Sequence, residues 1–172
     1  MSASRRQTIR HATTVSGVGL HLGQRVTLRF EPAAPHAGVF FVRGDRDGAA
    51  PVPALARVAV LADRRTQLGE GDDAFHTVEH VLAAVAALQI DDLRIVLDAA
   101  EPPIADGSAA PFVEALQQAE ILEHGGLARY LSVTSPIRVV DGESVYEATP
   151  SSRLQLAVSI SFPHPLIGEQ AI

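Results

Sequence analysis

His76-Thr77-Val78-Glu79-His80 is the stretch of this sequence richest in groups that can do chemistry. On a helix, His76 and His80 are four residues apart, share one face and could chelate one metal ion. Glu79, beside His80, could orient or deprotonate a metal-bound water as a general base. A hydrolytic zinc takes three protein ligands and a water. The sequence has no cysteine, so its donors for such a site are His and Asp. The same spacing equally serves a helix that carries polar residues in its first turn. HxxEH is also the signature of one class of metalloproteases, so five residues leave the reaction open.

Three further segments carry usable groups. Gly17-Val18-Gly19-Leu20-His21-Leu22-Gly23 is a tight loop that could approach a ligand and present His21 to it. Its other reading is a strand-connecting turn with His21 in solvent. No strand–turn–helix pattern follows, so GxG is only a weak nucleotide signal here. Pro102-Pro103-Ile104-Ala105-Asp106-Gly107-Ser108 reads as a rigid loop leading to a helix cap. In Ser161-Phe162-Pro163-His164-Pro165, Phe162 offers a stacking surface for a base or a ring, and core packing is its other use.

The elements that must position these groups follow from periodicity. QTIRHATTV is a β-branched run closed by the glycine cluster. RVTLRFEP alternates Val26, Leu28 and Phe30 with Arg25, Thr27 and Arg29, the period of a half-buried strand. GVFFVRG, residues 54–62 and residues 64–70 are read as further strands, and the turns between them point to an antiparallel sheet. HTVEHVLAAVAALQ sets Val78, Val81, Leu82, Val85 and Leu88 at helical spacing, with Thr77 or a residue just before it as N-cap. DLRIVLD returns to strand. A second helix follows, capped by Asp106 or Ser108, with Phe112, Val113, Leu116 and Leu122 on its apolar face and Gly125–Gly126 as its stop. After Ala128 come two strands about an Asp141–Gly142 turn, then RLQLAVSISF as a third. The fold class is therefore α+β. Residues 1–126 form a complete two-layer sandwich of sheet and helices. Residues 127–172 supply only the opening strands of a second domain.

Composition narrows the function classes. With 47% hydrophobic and 20% charged residues, the 172-residue chain is globular and long enough to bury a core without disulfides. Fourteen basic against twenty acidic residues give a net charge of −6, which argues against a nucleic-acid partner. The start, MSASRRQTIRHATT, is polar and basic with no apolar core, so no signal peptide is read there. The longest apolar run is too short to span a bilayer and carries Glu79 and His80, so no transmembrane segment is expected. The expected location is cytoplasmic, peripheral to a membrane at most.

SGVGLHLG at 16–23, HTVEHVLAAVAAL at 76–88, EPPIADGSAAPFV at 101–113 and ISFPHPLIG at 160–168 occur here in one order. In that order the chain resembles the amino-terminal portion of the UDP-3-O-acyl-N-acetylglucosamine deacetylases, zinc amidases of lipid A synthesis. The resemblance implies two similar domains, each a sheet with two helices, and an active site between them. It assigns His80 to a zinc ligand, Glu79 to the general base, His21 to a loop histidine near the site and Phe162 to an aromatic that contacts the uridine. His76 is not a ligand position in the family, so its pairing with His80 is then coincidental and it serves as a cap or lies behind the site. Ser161 stands where relatives often carry an acid, and Ala105 where they carry Met before Asp-Gly-Ser.

The implied partners are UDP-3-O-acyl-N-acetylglucosamine with its acyl chain and the missing carboxy-terminal half. That half would hold the family's other zinc ligands, a His and an Asp in an HKxxD-type stretch, with a catalytic lysine and a second histidine. None of these is in the sequence, so the Zn2+ site is expected to be incomplete and the chain inactive alone. Two other readings stand beside this one. A non-catalytic module that pairs with a separate chain is the first, and an HxxEH metalloprotease drawing on Glu114, Glu120 or Glu123 is the second. The purified 172-residue chain is expected to carry substoichiometric zinc by metal analysis. Stoichiometric zinc together with unaided cleavage of the sugar amide would overturn that expectation.

Overall fold

The structure is a computed structural model that describes residues 4–172. Residues 1–3, where the polar start read as lacking a signal peptide begins, lie outside the described residues. The chain divides into two compact units after Ala128.

In the first unit the β-branched run at its start forms two strands, β1 (Arg5–Ile9) and β2 (Thr13–Val18), where the sequence predicts one. Arg10 and His11 break the run because their N–H groups turn to the carbonyl oxygens of Ala119 and Glu120. β3 (Arg25–Pro32) buries Val26, Leu28 and Phe30, as its alternation requires. β4 (Val39–Arg43) and β5 (Val52–Pro53) follow. The two longer strands expected over 54–62 and 64–70 shrink to a 3-10 turn at Ala56–Val58, β6 (Ala59–Val60) and β7 (Gln67–Leu68). With β8 (Phe75–His76) these make a small three-stranded antiparallel sheet.

The main sheet is completed by β9 (Leu93–Leu97), in the order β2-β3-β9-β4-β5. It is not the purely antiparallel sheet that the turn spacing predicts, because β4 and β9 run parallel. A parallel pair needs a long crossover. Here that crossover contains the small sheet and α1 (Glu79–Ala87). α2 (Ala110–Gln118) packs against α1 and β2. Val81, Ala84 and Val85 of α1 and Phe112 and Leu116 of α2 join Leu28, Phe30, Leu93, Ile95 and Leu97 in one core. The Phe112 ring meets Phe30 edge to face at 6.5 Å, and Phe41 meets Phe75 at 5.2 Å. Together these layers make the α+β sandwich.

α2 ends earlier than its apolar pattern predicts. Glu120 takes the left-handed conformation that glycine usually supplies after a helix, with φ +58°. The chain then enters β10 (Ile121–Leu127), which pairs antiparallel with β1. Leu122 thus belongs to a strand. Gly125–Gly126 mark a bulge in that strand, where the register shifts between Arg5 and Gln7, and do not stop a helix.

Asp92 locks this seam. It is fully buried and accepts two hydrogen bonds from Arg6, from Nε and Nη2, each at 2.7 Å. It also meets Gly38 N at 2.7 Å and His124 Nε2 at 2.8 Å.

The second unit runs from Arg129 to Ile172. β11 (Ile137–Asp141) and β12 (Ser144–Ala148) form a hairpin in which Asp141 pairs with Ser144. Gly142 takes φ +58° in the turn, so the two turn residues are Gly142 and Glu143, one step later than expected. RLQLAVSISF supplies only β13 (Ser159–Ser161), paired with β14 (Glu169–Ala171). Leu154 and Leu156 lie outside it and are exposed. Every residue of these four strands is exposed.

Burial alone pushes the Asp92 carboxyl up, but the hydrogen bonds from Arg6, Gly38 and His124 outweigh it and hold the group at about 2. Its contribution is present above the ordinary carboxylate range and is lost as pH falls toward about 2. The size is of order 2 kcal/mol. Asp92→Asn leaves the buried Arg6 guanidinium facing a neutral amide and should cost about 3 kcal/mol. Urea denaturation followed by far-UV circular dichroism checks both points. The variant should unfold at lower urea, and its stability should fall less between pH 4 and pH 2 than that of the parent.

Candidate active site

Three of the four sequence segments meet at one carboxylate. Glu101 is 1% exposed. Its oxygens accept the His21 N–H at 3.0 and 3.1 Å, the Leu22 N–H at 2.8 Å and the Thr77 hydroxyl at 2.6 Å. Among the described residues no arginine pairs with it. Burial raises the carboxyl, and the hydrogen bonds from Thr77, Leu22 and His21 more than reverse this, so it sits below the usual carboxylate range. Three amide and hydroxyl donors thus do the work that an arginine does at Asp92.

The glycines of the first loop make room for this contact. A Cβ on Gly19 would lie 2.6 Å from Glu101 Oε2, and one on Gly17 would lie 2.9 Å from Pro103 Cβ. Ile104 N–H donates to Val18 O at 2.9 Å, and His76 N–H to Ala100 O at 2.9 Å. His21 itself is exposed at the tip of the loop.

Thr77 is not the helix N-cap that the sequence predicts. The cap position is Val78, with no side-chain cap hydrogen bond. Thr77 lies before it with φ +53°, a left-handed conformation that is strained for a β-branched residue. Its hydroxyl is spent on Glu101, which helps hold the chain in the sharp turn from β8 into α1.

That turn delivers Glu79 and His80 to the first turn of α1. A carboxylate there is favoured by the helix dipole. Glu79 is half-buried, and its Oε2 accepts the Thr66 N–H at 3.2 Å. His80 is half-buried, and its imidazole makes no hydrogen bond among the described residues.

His76 lies in β8, paired with Gln67, so it does not share a helical face with His80 and is not a cap. Among the described residues its Nδ1 is buried without a partner, as is Arg65 Nε. Burial, then the Arg65 charge, holds its proton affinity below that of an ordinary imidazole.

The cap position before α2 is Ala109, with no side-chain cap hydrogen bond, so neither Asp106 nor Ser108 is the N-cap that the sequence predicts; their side chains shape the turn before it. Asp106 Oδ1 accepts the Ser108 N–H at 3.0 Å and the Ser108 hydroxyl at 2.8 Å. Ser108 Oγ accepts the Ala110 N–H at 3.1 Å.

Phe162 belongs to the second unit. It is 52% exposed, and its N–H donates to Gly168 O at 2.9 Å. His21, Glu79 and His80 are brought into one assembly by Glu101 and Thr77. Among the described residues, no group of three or more His, Asp or Glu is placed to hold a metal ion. A groove of about 320 Å³ over β2 and β3 is lined by Ser16, Val18, Arg25 and Asp98 among others, and by none of the candidate residues.

A family model described as "UDP-3-O-acyl N-acetylglycosamine deacetylase" matches residues 6–172. The chain is 39% identical over 170 residues to the UDP-3-O-acyl-N-acetylglucosamine deacetylase of Myxococcus xanthus, a match covering 99% of this chain and 54% of that protein. It is 40% identical to the protein of the same name from Bdellovibrio bacteriovorus, covering 96% of this chain and 55% of the relative. Against the "Bifunctional enzyme LpxC/FabZ" of Chlorobaculum tepidum it is 38% identical, over 95% of this chain and 36% of the relative. The chain spans about half the length of the first two of these.

Two glycine substitutions test the loop geometry. Gly19→Ala sets a methyl against the Glu101 carboxylate and should cost about 1–3 kcal/mol. Gly23 has φ +62° but open space around it, so Gly23→Ala should cost only the backbone strain, about 1 kcal/mol. Thermal melts should therefore rank Gly19→Ala below Gly23→Ala.

Proposed function

The chain belongs to the UDP-3-O-acyl N-acetylglycosamine deacetylase family, and from that premise we propose that it forms the amino-terminal portion of an enzyme that removes the acetyl group from UDP-3-O-acyl-N-acetylglucosamine in lipid A biosynthesis. The match to the family model over residues 6–172 carries this reading. The domain reading goes with it: the first unit is a whole sheet-and-helix domain, and the second opens another of the same kind. The polypeptide that follows in the relatives supplies the rest. No described helix is long and apolar enough to cross a membrane. We place the reaction in the cytoplasm, where the nucleotide-sugar substrate would be met.

Hydrolysis of an acetamide needs a base to take a proton from the attacking water, and a proton for the departing amine. Glu79 is the base in this reading. It stands on a rigid helical turn with one oxygen occupied by the Thr66 amide and the other unclaimed among the described residues. His21, exposed on a loop whose backbone is pinned, lies against the bound sugar. Phe162 stacks on the uridine in this reading.

The family's zinc does not fit the donors present here by themselves. A catalytic zinc takes three protein ligands, and His80 is one. The imidazole is free to serve as that ligand, and the other two belong to the polypeptide that this reading adds.

Glu79→Gln in the complete protein tests the assignment. Gln keeps an acceptor for Thr66, so the fold and melting temperature should stay as they are. Turnover of the acetylated substrate should fall by roughly 10²–10⁴. Unchanged turnover would remove Glu79 from the role of base.

A further inference from the structure

We propose that Glu101 is a positioning residue that makes the His21 loop and the Glu79–His80 turn a single rigid piece. The proposal rests on the deacetylase reading for its effect on turnover, but the coupling itself stands on geometry alone.

Glu101 lies behind the groups assigned to the reaction and is 1% exposed, so it is cast here as a support for them. One of its oxygens holds the Leu22 amide and the other the Thr77 hydroxyl, while both accept from the His21 amide. A displacement of either segment therefore strips a donor from a buried charge, which is costly. Thr77 adds a second constraint. Its left-handed backbone, φ +53°, persists only where the surroundings over-determine it. The hydroxyl bond to Glu101 supplies that constraint two residues before Glu79. The absent Cβ at Gly19 lets the loop close on the carboxylate. Glu101, which belongs to neither segment, thus bridges the His21 loop and the turn that carries Glu79 and His80.

Amide hydrogen exchange and steady-state kinetics on the complete protein test this. Thr77→Val removes the hydroxyl and keeps the shape. Exchange at His21 and Leu22 should then speed up, although Thr77 is far from both in sequence. Exchange in β1 and β10, held by the separate Asp92 cluster, should stay at the parent rate, which a general loss of stability would not leave. Turnover should fall by roughly tenfold to a hundredfold with KM within about twofold. Thr77→Ser, which restores the hydroxyl, should recover most of both. Glu101→Gln/Thr77→Val should be no worse than the poorer single variant, because both act on one link. Unaltered loop exchange in Thr77→Val overturns the coupling, and faster exchange with unaltered turnover overturns the positioning role. A parent protein that lacks deacetylase activity would overturn the functional reading instead, while the exchange data still decide the coupling.

Discussion

A carboxylate buried with no cationic partner among the described residues is the constraint around which the site is arranged. Taking the Glu101 charge out of water is expensive, and hydrogen-bond donors must repay it. The donors come from two distant places: backbone amides of a glycine-rich loop and the hydroxyl of Thr77. Each is unusual in consequence. The loop needs a glycine at position 19 because no Cβ fits beside the carboxylate, and Thr77 accepts a backbone conformation that β-branched residues avoid. These oddities are local costs of one global requirement, and they fall next to the residues assigned to the chemistry, where strain is expected to collect.

Asp92 solves the same problem differently. It buries its charge against a bidentate arginine, a backbone amide and a histidine, and so ties β1, the segment before β4, the start of β9 and β10 together. The two acids divide the labour. One holds the strands that frame the unit, and the other holds the loops that carry His21, Glu79 and His80. Asp92 sits just before β9 and Glu101 in the loop that follows it, and the apolar layer of Phe30, Phe41, Leu93 and Phe112 fills the space between helices and sheet.

Much of this is legible in the residues themselves. The alternation of β3, the apolar face of α1 and the α+β class follow from period alone, and Glu79, His80 and His21 stand out by residue type. What escapes is set by partners far along the chain. The start of α1 reads as a Thr77 cap because the sequence does not show that its hydroxyl is claimed by Glu101. The end of α2 reads two glycines too far because Glu120 takes the left-handed position and because the strand after it pairs with β1, more than a hundred residues earlier. The parallel pairing of β4 with β9 has no local signature either. Glu101 itself looks like a solvated loop residue beside prolines. Only the two glycines at 17 and 19 hint that something must approach closely.

The antiparallel union of β1 with β10 also bears on how the chain is made. Synthesis delivers β1 first and β10 last within this unit. Until Leu127 has emerged from the ribosome, Arg6 and Asp92 lack His124, and β1 offers an unpaired edge to any neighbouring strand. A nascent polypeptide halted inside α2 would hold nearly all of its core residues and still present that open flank, so the vulnerable interval in its birth is the passage of the final seven-residue strand.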